Sequence, residues 1–249
     1  MANGDYLDAA ESHVPLGKDS AFGATDVGRK RANNEDALFL HDSTIISPGK
    51  LPVRRIFGVA DGVGGRAEGE VASRKVVSEI FHSAAHGRFV LSKDFQSIND
   101  RVTHGFTTLV LAQSFNDGNS FAVTSVGDSS AILVDSHKRT VRELTPRDEN
   151  EEGKVTQVMG NGDNGGSFRK PHQTQVHLEP GQTLLLATDG FTKYMDNGKI
   201  RPGNVLHTRL KYPDNTTFVR QLINMANAAG GSDNITVVSI PYVPALRRR

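Results

Sequence analysis

The chain has no cysteine among its 249 residues, and only 6% of them are aromatic. Without cysteine there is no thiol nucleophile, no zinc–thiolate centre and no disulfide, and the redox compartment stays open. An excess of one charge is also missing. The formal net charge is +1, too small for a bulk field that favours nucleic acid or a membrane surface. The shortage of aromatics argues against nucleic acid as well. Long apolar runs are absent. No stretch approaches the ~18 residues of a membrane span, and residues 1–18 lack the apolar centre of a secretory signal. A cytoplasmic location is the expectation. No HExxH motif occurs, which argues against a zinc-hydrolase site. What remains, 37% hydrophobic and 23% charged, is an ordinary globular composition. A chain this long can bury a full core as one domain.

Residues 1–18 are polar and mixed and are expected to form a loose arm. Short β-like runs cover 22–25, 37–40 and 53–60. Val71, Ala72, Val76, Ile80, Phe81 and Ala84 recur at helical spacing, and Gly87 closes the pattern. Phe95, Ile98, Val102 and Phe106 suggest a second, shorter helix. β-like runs return at 107–115, 120–126, 131–134 and 140–144, with Asn116-Asp117-Gly118-Asn119 as a hairpin turn. Residues 145–172 are charged, then rich in Gly and Asn, and read as an excursion outside the core. Strands resume at 173–178 and 183–188, and 205–210 suggests a short helical turn. Phe218, Leu222, Ile223, Met225 and Ala226 suit a last helix closed by Gly230-Gly231, before a final strand at 234–240. Many short strands with helices gathered in pairs predict an α+β sandwich and not a βαβ alternation. Residues 19–243 would form this single domain, with a basic tail at 244–249.

Acidic residues mark the ends of these runs. Asp61 closes Ile56-Phe57-Gly58-Val59-Ala60, Asp189 follows Leu184-Leu185-Leu186-Ala187-Thr188, and Asp128 follows Val126-Gly127. Asp233 precedes Asn234-Ile235-Thr236-Val237-Val238, while Glu35 and Asp36 open another short apolar stretch. If the strands lie side by side, these carboxylates converge at one sheet rim. Crowded carboxylates need a cation to neutralise them, and oxygen-only ligation selects a hard divalent ion, Mg²⁺ or Mn²⁺. Two neighbouring motifs carry less. Gly62-Val63-Gly64-Gly65 lacks the Lys-Ser/Thr of a phosphate loop. Residues 161–166 lack the alternating acids of a calcium loop.

Five fragments, in order, resemble the motifs of the metal-dependent serine/threonine protein phosphatases of type 2C, the PPM family, in its bacterial-like branch. They are Gly28-Arg29-Lys30-Arg31-Ala32-Asn33-Asn34-Glu35-Asp36, Val59-Ala60-Asp61-Gly62-Val63-Gly64-Gly65, Val126-Gly127-Asp128-Ser129, Ala187-Thr188-Asp189-Gly190 and Gly231-Ser232-Asp233-Asn234. The likeness spans residues 22–243. It implies a four-layer α-β-β-α sandwich, two mainly antiparallel sheets flanked by helices, with the metal site at one rim between the sheets. The implied reaction is hydrolysis of phosphoserine and phosphothreonine in proteins by a water bridging two Mg²⁺ or Mn²⁺ ions. Asp61 would bridge the ions, and the Gly62 carbonyl would reach the second, which Glu35 approaches through water. Asp189 and Asp233 would complete the shell of the first. Asp36 would hold waters or touch a metal, and Arg31 would grip the phosphate with its planar fork. Arg29 and Lys30 read as solvated charges. The implied partners are phosphorylated targets of a serine/threonine kinase, with no nucleic acid and no membrane, and the chain would be a monomer.

The sequence departs from the family at four places. Ser130 stands where an arginine often follows Gly-Asp-Ser, so a lost guanidinium is expected to loosen that strand end. Lys193 stands where many members have an aspartate, so its charge opposes a third metal at Asp128. Val63 replaces the histidine of eukaryotic-type members. After Leu144-Thr145 the flap is shortened, which bears on substrate selection. Two alternatives stay open: a weakly active or inactive phosphatase-like binding module, and a two-metal hydrolase of another phosphate ester.

Overall fold

The computed structural model describes residues 11–13, 20–42, 55–63, 67–85, 89–115, 117–161 and 167–244. The strands before the first helix are β1 (Glu11–His13), β2 (Phe22–Asp26), β3 (Ala37–Asp42), β4 (Arg55–Ala60) and β5 (Gly62–Val63). Helices α1 (Ala67–Ala85) and α2 (Asp94–Arg101) follow. Then come β6 (Phe106–Thr107), β7 (Leu109–Ser114), β8 (Ser120–Val126), β9 (Ser130–Asp135), β10 (Thr140–Glu143), β11 (His172–His177) and β12 (Gln182–Ala187). Helices α3 (Asp189–Asp196), α4 (Pro202–Lys211) and α5 (Asn215–Ala229) precede the last strand, β13 (Ile235–Pro241).

Strand alternation builds the layers. In β4, Phe57 and Val59 face one way, Ile56 and Ala60 the other. Leu184 and Leu186 of β12 face Phe57 and Val59 across the middle, while Leu185 and Ala187 turn outward. Ala131 and Leu133, Val238 and Ile240, and Val110 and Ala112 join that middle layer. One sheet runs β1-β2-β13-β12-β9-β10 and the other β11-β8-β7-β4-β3. Every named pairing is antiparallel. Because every strand is two-faced, each outer face also needs a cover. Val76, Ile80, Phe95 and Ile98 of α1 and α2 cover one sheet, and Phe191, Val205, Phe218 and Leu222 of α3, α4 and α5 cover the other. The expected four-layer α-β-β-α sandwich is the observed architecture.

Antiparallel register also gathers strand ends. Ala37 pairs with Ala60, Ala187 with both Ser130 and Val237, and Ile235 with Asp26. Asp36, Asp61, Asp128, Asp189 and Asp233 each lie within two residues of one of these ends. They therefore share one rim, three of them in the six-stranded sheet and two in the five-stranded sheet.

Several expectations change. Part of the loose arm, Glu11–His13, is an edge strand on β2, and 1–10 and 14–18 lie outside the described residues. So do residues 53, 54, 64, 65, 87, 116, 162–166 and 245–249, which held parts of the expected strand, turns, helix boundary and tail. Phe106 is not helical. It belongs to β6, and the run expected at 107–115 breaks at Thr108 because Thr107 pairs with Gly62 and with Met159. The excursion at 145–172 is not wholly outside the core. Met159 is fully buried with α1 and α2, and its backbone exchanges hydrogen bonds of 2.8 and 2.9 Å with Thr107. Residues 205–210 are part of a ten-residue helix, α4, which starts at Pro202. Helix α3 was not expected. Its eight residues are too few to display a period, and its Asp-Gly start reads as a turn.

Candidate metal centre

Asp61, Asp128 and Asp189 each offer a carboxylate oxygen within 4.8 Å of the others. Asp61 is placed by the kink at Thr108. Thr108 N and Thr107 Oγ1 both donate to Asp61 O, at 2.8 and 2.9 Å, and Asp61 N donates to Thr108 Oγ1 at 3.2 Å. The same Thr108 hydroxyl lies 2.7 Å from Ser129 Oγ, next to Asp128. One threonine thus holds two acidic segments from different sheets. Asp189 opens α3, where Gly190 passes under Asn234. A Cβ on Gly190 would stand 1.8 Å from Asn234 O, so no side chain fits there. Gly62 is equally confined: a Cβ would come within 2.5 Å of the Gly69 backbone and 2.7 Å of Glu35 O. This close packing brings β5, Glu35 and the first turn of α1 together.

The other expected residues surround this cluster. Asp36 is buried, and its Oδ2 accepts hydrogen bonds from Thr236 Oγ1 at 2.6 Å and Thr188 Oγ1 at 2.9 Å. Glu35 is buried, and its backbone N donates to Asn234 Oδ1 at 2.9 Å. Asn234 Nδ2 donates to Val27 O and Asn33 O, at 3.0 and 2.8 Å, so this one side chain fastens the Arg31 loop to β13. Asp233 is outside the tight set of three. Its Oδ2 accepts from Arg31 Nη2 at 2.8 Å, and the Arg31 side chain is 43% exposed, leaving guanidinium surface open to solvent. Lys193, one turn after Asp189, ion-pairs with Asp189 Oδ2. Thr188, Thr236 and the Asn234 side chain carry no signal that would single them out before folding. Their roles follow from which strand ends meet.

The electrostatics are those of too many buried negative charges. Burial first, then Asp189, Asp36, Asp128 and Asp233, push Asp61 well above the usual carboxylate range. Burial pushes Asp36 up to about 7, against the hydroxyls of Thr236 and Thr188, with Asp189 and Asp233 adding to the rise. Burial and Asp189 push Asp128 up to about 7, while Lys193 pulls the other way. Burial opposes the charge on Lys193, but Asp189 and Asp128 outweigh it and raise its pKa. Asp36 Oδ1, Asp128 Oδ1 and Asp189 Oδ1 are buried without a hydrogen-bond partner. Such oxygens are costly unless something binds them. Clustered, unpartnered carboxylate oxygens fit a hard divalent cation.

A two-sheet sandwich with an acidic cluster at one rim defines a class of metal-assisted hydrolases. Within it the particular family is clear: residues 56–242 match the family model described as Stage II sporulation protein E (SpoIIE), and the chain belongs to this SpoIIE/PP2C-type family. It is similar to a putative protein phosphatase 2C-type of Streptococcus pyogenes, 26% identical over 87% of this chain and 94% of that protein. It is also similar to the protein phosphatase PhpP of Streptococcus pneumoniae, 27% identical over the same shares, 87% and 94%. Among solved structures, the catalytic domain of the serine/threonine protein phosphatase PstP, in complex with two manganese ions, is 25% identical with a TM-score of 0.66, over 88% of this chain and 96% of that one. A serine/threonine phosphatase of S. agalactiae, 21% identical, shares the fold with a TM-score of 0.70 over 88% and 98%.

Proposed function

We propose that this chain is a metal-dependent protein phosphatase that hydrolyses phosphoserine and phosphothreonine, with residues 19–243 acting as one catalytic domain. The observation that carries this reading is the cluster of Asp61, Asp128 and Asp189, with its unpartnered buried oxygens. Asp61, Asp189 and Asp233 are the proposed side-chain ligands for two Mn²⁺ or Mg²⁺ ions, with Asp36, Glu35 and the Gly62 carbonyl around the second ion. When bound, the ions supply an acidified water and neutralise phosphate charge. Asp36 would orient water through its free Oδ1 while the two threonine hydroxyls hold its Oδ2 still. Arg31 would bind nonbridging phosphate oxygens, where a planar guanidinium gains strength as charge shifts in the transition state. Lys193 already supplies one positive charge to Asp189 and Asp128, which opposes a third ion beside Asp128. Phosphorylated proteins made by a serine/threonine kinase are the proposed substrates, and the cytoplasm the proposed location. Among the described residues no helix is long and apolar enough to cross a membrane.

The test is release of phosphate from phosphoserine and phosphothreonine peptides with added Mn²⁺, and its loss in EDTA. Equal or better turnover of a phosphodiester would move the chain to another hydrolase class. No turnover of any phosphate ester with Mn²⁺ would make it a binding module. Arg31→Ala is expected to lower kcat/KM for a phosphopeptide on the order of a hundredfold, with Mn²⁺ affinity little changed. Unchanged kcat/KM would return Arg31 to the solvated basic cluster with Arg29 and Lys30.

A further inference from the structure

Ser130 lacks the guanidinium expected beside it, yet one is present. Arg147, seventeen residues later in the chain, donates from Nε to Ser130 Oγ at 3.1 Å. The same guanidinium forms a two-pronged pair with Glu143, at 2.8 and 3.0 Å, and its Nη1 pairs with Asp196 Oδ2. Ser130 Oγ in turn donates to Glu143. The Arg147 side chain is only 14% exposed, so this is not a loose surface pair. The strand end expected to be loosened is instead braced. Next door, Asp148 N donates to Gly127 O and Gly127 N donates to Asp148 Oδ2, both at 2.9 Å.

Two of the three partners of Arg147, Ser130 and Asp196, lie on segments that carry members of the acidic cluster. Ser130 is two residues after Asp128. Asp196 is the last residue of α3, whose first residue is Asp189. The other side of α3 is tied to the next acidic segment, since Tyr194 Oη accepts from Ser232 N at 2.7 Å and lies 3.0 Å from Ser232 Oγ, beside Asp233. A helix of two turns has little stiffness of its own and takes its position from such ties. Two carboxylates that repel each other will separate unless their segments are held.

We propose that Arg147 is a positioning residue: by joining the Asp128 segment to α3 through Ser130, Glu143 and Asp196, it fixes where the ligand Asp189 stands against Asp61 and Asp128 and so the affinity of the centre for divalent cations. The proposal rests on the reading of the cluster as a metal centre. A single planar group that pairs in three directions suits this, and a lysine does not, because an ammonium offers no fixed fork. The opposing view is that the contacts add only ordinary fold stability.

Calorimetric titration with Mn²⁺ separates the two, applied to wild type, Arg147→Ala, Arg147→Lys, Asp196→Asn and the double variant Arg147→Ala/Asp196→Asn. Melting in EDTA runs alongside. Asp196 is half exposed, so Asp196→Asn folds even if the arginine variants do not. Arg147→Ala and Arg147→Lys are expected to weaken Mn²⁺ binding roughly tenfold, the usual effect of losing a support behind metal ligands. Asp196→Asn should weaken it less, and the double variant should be no worse than Arg147→Ala, because both remove one tie. Wild-type Mn²⁺ affinity in every variant, with melting in EDTA alone lowered, would overturn the proposal and leave the metal reading standing. So would strictly additive losses, which would show that Arg147 does not act through α3. A wild type that binds no Mn²⁺ would overturn both.

Discussion

Asp61→Asn is expected to lower kcat by about a thousandfold or more, while raising the melting temperature of the protein in EDTA. The two effects have one cause. Asp61 stands where β4 ends and β5 begins, its carboxylate within 4.8 Å of Asp128 and Asp189. Burial and four neighbouring aspartates hold its pKa well above the usual range, so the ionised form is destabilising in the absence of a cation. Asparagine keeps the shape and removes the charge. It relieves the repulsion and destroys the ligand. Active sites commonly store strain of this kind, and removing it commonly exchanges function for stability. The readouts are steady-state turnover of a phosphopeptide at saturating Mn²⁺ and a melting curve in EDTA. Wild-type kcat in the variant would remove Asp61 from the mechanism. A fall in both activity and metal-free stability would mean that the carboxylate is satisfied by contacts other than a cation.

Raising the pH from about 4.5 to about 7 is expected to lower the melting temperature in EDTA by several degrees, and to raise it in excess Mn²⁺. Asp36 and Asp128 have folded-state pKa values raised to about 7, and Asp61 is raised as well. Between the unfolded carboxylate pKa and about 7, the folded protein therefore holds more protons than the unfolded chain. Stability must fall as pH rises through that window and level off above it. Carboxylates shifted the other way, such as Asp148 beside His172 and Glu79 beside Lys75 and Arg101, act at lower pH. Their contribution is present above the unfolded pKa and is lost as pH falls below it. With Mn²⁺ the slope reverses, because the ion binds the ionised carboxylates and competes with their protons. Asp61→Asn should flatten the EDTA curve. A melting temperature in EDTA that rises steadily across the window would show that Lys193 and Arg31 already neutralise the cluster.

Much of the fold was legible because strand alternation and helical spacing are local. The runs at 22–25, 120–126 and 131–134 became β2, β8 and β9, and the apolar stripe at 71–84 became α1. What failed was short or depended on distant partners. Helix α3 has only three apolar side chains, Phe191, Tyr194 and Met195, and needs the sheet beneath it to be a helix at all. Thr108 breaks a strand only because its own N–H bonds across to Asp61 while Thr107 pairs with Met159. For the site, the acidic residues at strand ends were visible and their grouping was not. Asp128, expected only for a doubtful third ion, lies in the tight set of three with Asp61 and Asp189, and Asp233, expected as a ligand of the first ion, also pairs with Arg31. The missing arginine at position 130 suggested a weakened segment, yet Arg147 arrives there from another part of the chain.

The sequence by itself determined the residue chemistry: oxygen ligands without thiols, carboxylates placed next to apolar strands, and the alternation that makes two-faced sheets. These depend on side-chain identity and on neighbours a few positions away, so they can be read along the chain. Only the tertiary structure decided which carboxylates meet, which cations sit against them and which residues hold them there. Those facts arise from antiparallel register between strands far apart in sequence, such as Ala37 with Ala60 and Ala187 with Ser130. In each sheet, shifting one strand by a single residue would turn its side chains to the opposite face. Burial of the middle layer selects one register, and that register sets the charge density at the rim.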